Sequence, residues 1–65
     1  MFEPQRIKEL RLKMLQTQEE FAKTLGVSFA SVNRYENGKS IPTIRVKRKL
    51  LVLFKKNGMG EKTND

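Results

Sequence analysis

The chain contains no cysteine, no histidine and no tryptophan, and only two prolines, among its 65 residues. Without cysteine there is no disulfide. Without cysteine or histidine there is no soft-ligand zinc site, and the commonest general base is missing as well. No cofactor and no metal are expected. Scattered carboxylates alone do not assemble an acid, a base and a nucleophile, so an enzyme is not expected either. No apolar run approaches the roughly 20 residues that span a bilayer, and Met1 to Gln5 lacks the apolar core of a signal peptide. The expected location is the cytoplasm, with no membrane partner. Internal repeats and low-complexity tracts are also absent. A chain this short buries only about 60% of its unfolded surface, so apolar packing within one small domain, residues 1–65, must hold it, extended by a second copy.

Positive charge is what the chain has in excess. Lys and Arg outnumber Asp and Glu by 14 to 7, a formal charge of +7. Such an excess suits any polyanion, nucleic acid or anionic membrane alike. The distribution is uneven: residues 1–38 carry six basic and five acidic groups, whereas 39–65 carry eight basic and two acidic. From Lys39 to Lys56 there are seven basic residues and no acid.

Periodicity and capping signals divide the chain into an all-α bundle of about four helices. Ile7, Leu10 and Met14 make one helical stripe, with Leu12 and Leu15 off it. Thr17, Gln18, Glu19, Glu20 spells a capping box, in which the threonine oxygen takes one orphan amide and Glu20 reaches back to another. Phe21, Ala22 and Leu25 supply the apolar face of this second helix, and Gly26 ends it by admitting a positive φ. Ser28 then caps a short third helix, closed by Asn37 and Gly38 ahead of Pro42. Two helices joined by so short a connection, over residues 17–38, form a helix-turn-helix. Thr43 caps a basic C-terminal helix to about Lys56, with a stripe of Val46, Leu50 and Leu53, widened by Leu51 and Phe54. The tail, 59–65, is small or polar and expected to fray.

Turning about 100° per residue along the third helix puts Phe29, Asn33, Asn37, Ala30 and Arg34 on one continuous arc. Val32 and Tyr35 fall on the opposite side, toward the other helices. The outward set matches the groups that read base edges in the DNA major groove: Arg to guanine, Asn to adenine, and apolar carbon to the thymine methyl. Phe29, Ala30, Asn33 and Arg34 are therefore the candidate base readers. A competing placement tucks Phe29 back into the core or into a dimer contact. Gln18 opens the second helix, where orphan amides and the helix dipole favour a phosphate oxygen. Ser28 serves as a cap whose hydroxyl also reaches phosphate, and Lys39 and Arg45 are the foremost phosphate candidates of the basic run.

The stretch T-Q-E-E-F-A-K-T-L-G-V-S-F-A-S-V-N-R-Y-E-N-G-K-S-I-P strongly resembles the helix-turn-helix of the phage repressor and Cro family, also called Xre-like. The matching positions are Thr17, Gln18, Phe21, Ala22, Gly26, Val27, Ser28, Val32, Tyr35, Glu36, Asn37, Gly38 and Pro42. The resemblance implies a lambda-repressor-like domain in which Gln18 and Asn37 touch phosphates, and Ser28, Phe29, Ala30, Asn33 and Arg34 address bases or nearby backbone. It also implies that Ala22 lets the two helices pack closely and that Arg11 pairs with Glu36. The structural set is thus Arg11, Thr17, Ala22, Gly26, Val32, Tyr35 and Glu36. Two departures stand out. Before Thr17 the family commonly has Gly-Leu, where this chain has Leu15 and Gln16, with Met14 or Leu15 to fill the space. After the proline it often has two helices around a second break, where this chain has one fused final helix.

The expected function is a sequence-specific, double-stranded-DNA-binding transcriptional regulator, a repressor, acting as a homodimer on a palindromic operator. Leu51, Phe54, Met59 and Phe2 exceed what one small core obviously needs and are candidates for the dimer interface. The alternative is a DNA-binding antitoxin or adaptor whose C-terminal helix binds a partner protein. A basic amphipathic membrane binder is disfavoured, because the caps specify several short packed helices.

Overall fold

The computed structural model describes residues 2–60. Four helices follow one another: α1 (Pro4–Lys13), α2 (Gln18–Leu25), α3 (Phe29–Glu36) and α4 (Ile44–Lys56). No strand occurs among the described residues.

Each helix starts where local chemistry dictates. Pro4 opens α1, where its missing N–H costs nothing. The capping box of α2 is complete: Thr17 Oγ1 accepts from the Glu20 amide at 3.1 Å, and Glu20 Oε1 accepts from the Thr17 amide at 2.8 Å. Ser28 Oγ accepts from the Ser31 amide at the start of α3, and Thr43 Oγ1 from the Val46 amide at the start of α4.

The helix ends share one device. In α1 the Gln16 amide reaches the Arg11 carbonyl while the Leu15 amide reaches Leu12, the pair of bonds that defines a Schellman motif. The same two bonds close α2 around Gly26, α3 around Gly38 and α4 around Gly58. The motif needs a positive φ at its turning residue. Gly26, Gly38 and Gly58 supply it at 72–73°, but in α1 the turning residue is Leu15, at φ 58°. Leu15 is 90% exposed, so Met14, half-buried against the core, fills the space before Thr17 and Leu15 does not.

The core takes Ile7 and Leu10 from α1, Phe21, Ala22 and Leu25 from α2, Val32 and Tyr35 from α3, and Val46, Leu50 and Phe54 from α4. α2 packs chiefly on α3, α3 on α1, and α4 lies against α1 and α2. Phe54 is not an interface residue, as its surplus over one small core suggested. It is fully buried, with Phe2 and Met59 packed beside it. Arg6 closes this corner, with its guanidinium 5.3 Å from the centre of the Phe54 ring and bonded to the Met59 carbonyl at 2.7 Å. Met59 is therefore held in place, where fraying was expected from residue 59 onward. The rest of that tail beyond Gly60 lies outside the described residues.

Candidate nucleic-acid interface

With Val32 and Tyr35 buried, α3 is locked in one rotation. The face it turns outward carries Ala30, Asn33, Arg34 and Asn37, all exposed, with Phe29 half exposed at 51%. Phe29 is neither in the core nor fully free: it borders a shallow hollow lined by Glu19, Ala22, Lys23 and Val27, where α2 meets the start of α3. Phe29 thus flanks the hollow beside α2 and remains open to whatever approaches α3.

The depth at which α3 is anchored is set by one ion pair. Arg11 grips Glu36 with two nitrogens, Nε to Oε2 at 2.6 Å and Nη2 to Oε1 at 3.0 Å, and its third nitrogen donates to the Gln16 carbonyl at 3.0 Å. The two side chains are only 11% and 4% exposed. Two parallel charge-assisted bonds in a dry setting fix orientation as well as distance. The bond to Glu36 holds the Arg11 guanidinium above its ordinary pKa, outweighing the opposing effect of burial. One guanidinium thereby ties the end of α1, the loop before α2 and the last turn of α3.

Gln18 lies on this pair. Its Nε2 donates to Glu36 Oε1 at 3.0 Å, and its Oε1 accepts from Asn33 Nδ2 at 3.3 Å. Asn37 Nδ2 in turn donates to the Asn33 carbonyl at 2.8 Å and to Asn33 Oδ1 at 3.1 Å. Gln18, Asn33 and Asn37 are thus brought together along one edge of α3, while Arg34 stands outside this set. The sequence reading did not find this connection, since Gln18 and Glu36 are far apart in the chain and neither lies on a shared stripe. Ser28 is committed locally, accepting from the Ser31 amide and donating to Ser31 Oγ at 3.0 Å.

The basic run divides. Lys39 and Arg45 are exposed around the turn that leads from α3 into α4. Lys47 sits 5.5 Å from the centre of the Phe2 ring, and Lys49 donates to the Leu25 carbonyl at 3.2 Å, so it caps the end of α2. Those two cations serve the fold first. No helix among the described residues is long and apolar enough to cross a membrane.

An outward polar arc on a short helix, locked by a buried flank and preceded by a second helix across a three-residue connection, is the arrangement that enters a DNA major groove. No curated protein and no solved structure matches the chain. The sequence model of the helix-turn-helix family matches residues 7–57, which takes in most of α1 and the whole of α2, α3 and α4. The chain belongs to the Xre and lambda-repressor-like helix-turn-helix family of DNA-binding regulatory domains.

Proposed function

We propose that the chain is a sequence-specific transcriptional regulator, a repressor, which binds a palindromic operator as a homodimer in the cytoplasm. The observation that carries this reading is the outward face of α3, where Phe29, Ala30, Asn33 and Arg34 are accessible together while Val32 and Tyr35 hold the helix from behind. Gln18 seats α2 on a phosphate with its remaining N–H, Ser28 and Asn37 join it by exchanging their bonds to Ser31 Oγ and the Asn33 carbonyl for phosphate oxygens, and Lys39 and Arg45 add long-range attraction. One short helix reads only a few base pairs. Pairing about a two-fold axis sets a second copy one DNA turn away, roughly 34 Å, and doubles the site. A bound dimer excludes other proteins from the DNA it covers, which is repression.

The test compares a selected duplex with a scrambled one. Arg34→Ala is expected to lower affinity for the selected duplex while leaving the scrambled one nearly unchanged, whereas Lys39→Ala weakens both alike. Equal effects of both variants on both duplexes would refute the division of roles. Sedimentation that shows only monomer, free and on DNA, would remove the dimer.

A second reading makes the chain the DNA-binding antitoxin or adaptor half of a complex. It draws on the apolar hollow between α2 and α4, lined by Thr24, Lys49, Val52 and Leu53, with Val52 exposed. Mass measurement of the purified protein separates the two, because this reading requires a second polypeptide of different mass.

A further inference from the structure

We propose that Gln18 is a positioning residue that holds the amide of Asn33 in a single orientation, with one donor and one acceptor left to read adenine, an assignment that rests on the DNA-binding reading above. The relay starts at Glu36. An ionised carboxylate only accepts hydrogen bonds, and this one is held by the Arg11 guanidinium. Gln18 must therefore turn its NH2 group inward to Glu36 Oε1. The flipped amide would set its carbonyl oxygen against the carboxylate, acceptor against acceptor. With the NH2 inward, the Gln18 oxygen faces outward and demands a donor, which is Asn33 Nδ2. Asn33 Oδ1 is then the atom left to accept from Asn37 Nδ2. A partly buried ion pair thus decides, through two amides, which end of Asn33 is the donor.

The remaining capacity is specific. An asparagine amide has two N–H groups and two lone pairs on oxygen. Gln18 takes one N–H and Asn37 takes one lone pair, which leaves one donor beside one acceptor. In the major groove, adenine alone offers the complement on a single base, N7 to accept and N6 to donate. Guanine presents two acceptors, cytosine a donor, and thymine an acceptor and a methyl group. Gln18 itself keeps one N–H for a phosphate, so its removal has two separable effects: weaker binding to every duplex, and a weakened preference at one base.

The experiment is parallel selection from a random duplex pool with the full chain in three forms: native, Asn33→Ala and Gln18→Leu. Binding is then measured on the natively selected duplex with each base, and with 7-deazaadenine, at the position in question. The expected native motif contains an adenine whose replacement weakens binding on the order of ten-fold. That position loses its preference in Asn33→Ala and has a weakened one in Gln18→Leu, where the other positions keep theirs. Should Gln18→Leu fail to fold by circular dichroism, Gln18→Ala takes its place. Two results overturn the proposal: a Gln18 variant that weakens all duplexes equally with the adenine preference intact, which leaves Gln18 a phosphate contact only, or Asn33→Ala erasing a preference for another base. A native pool with no motif at all is a different failure, since it refutes sequence-specific binding itself.

Discussion

Replacing Leu15 by glycine should make this protein more stable. Leu15 turns the chain at the end of α1 with φ 58°, a conformation that costs a residue with a Cβ about 1–2 kcal/mol. Glycine removes that cost, and its greater freedom in the unfolded chain takes back about 0.4–1 kcal/mol. Little else changes, because the side chain is 90% exposed and its removal forfeits only a few tenths of a kcal/mol of burial. The net gain is about 0.5–1 kcal/mol. For a domain of this size that corresponds to a rise in Tm of roughly 2–8 °C.

The assay is thermal unfolding followed by circular dichroism, with urea titration to confirm that the midpoint moves and the slope does not. Leu15→Ala is the control: it deletes the same exposed carbons but keeps the Cβ, so it stays strained and should gain nothing. Gly26→Ala is the mirror image, since φ there is 73° and a Cβ would lie 3.0 Å from Lys49 Nζ; a loss of about 1–2 kcal/mol is expected. If Leu15→Gly is no more stable than Leu15→Ala, the strain is not where the backbone places it and the reasoning fails.

Glu36→Ala leaves the Arg11 guanidinium buried without its partner and should cost about 3 kcal/mol, read as a lowered urea midpoint; a loss below 1 kcal/mol would mean that water already screens the pair. Phe54→Ala should cost about 3–5 kcal/mol by opening the core, equally at all protein concentrations, whereas an interface residue would show its effect only where dimers form. The salt dependence of DNA binding should fall short of the formal charge. Lys39→Ala and Arg45→Ala should each lower the slope of log K against log salt by about 1, and Lys49→Ala should leave the slope unchanged while weakening the fold.

What could be read in the sequence was what depends on neighbours. The capping box from Thr17 to Glu20, the stops at Gly26 and Gly38, and the phase of α3 all involve residues within a turn or two of one another, and each lies where its own side chain puts it. Leu15 was opaque for the converse reason. A leucine gives no signal of positive φ, so the turn was imposed by the Schellman bonds and by the demand that Gln16 reach Arg11. Phe54 was misplaced because a stripe predicts a direction and not how wide the facing surface is. The corner formed by Phe2, Met59 and Arg6 brings together the two ends of the described chain and widens the core until Phe54 lies inside it.

The polar edge of α3 shows why residue type alone under-describes such a site. Asn33 and Asn37 are ordinary exposed amides when taken singly, and an amide free to flip presents its donor and acceptor in either order. Their order comes from Glu36, whose largely buried carboxylate bonds to neither of their side chains and admits only donors. The same carboxylate that anchors α3 to α1 therefore sets the polarity of the edge that α3 presents. Stability and recognition meet in one residue, so a change at Glu36 alters both together, whereas Gln18 is the link at which recognition can be altered with the Arg11 ion pair left in place.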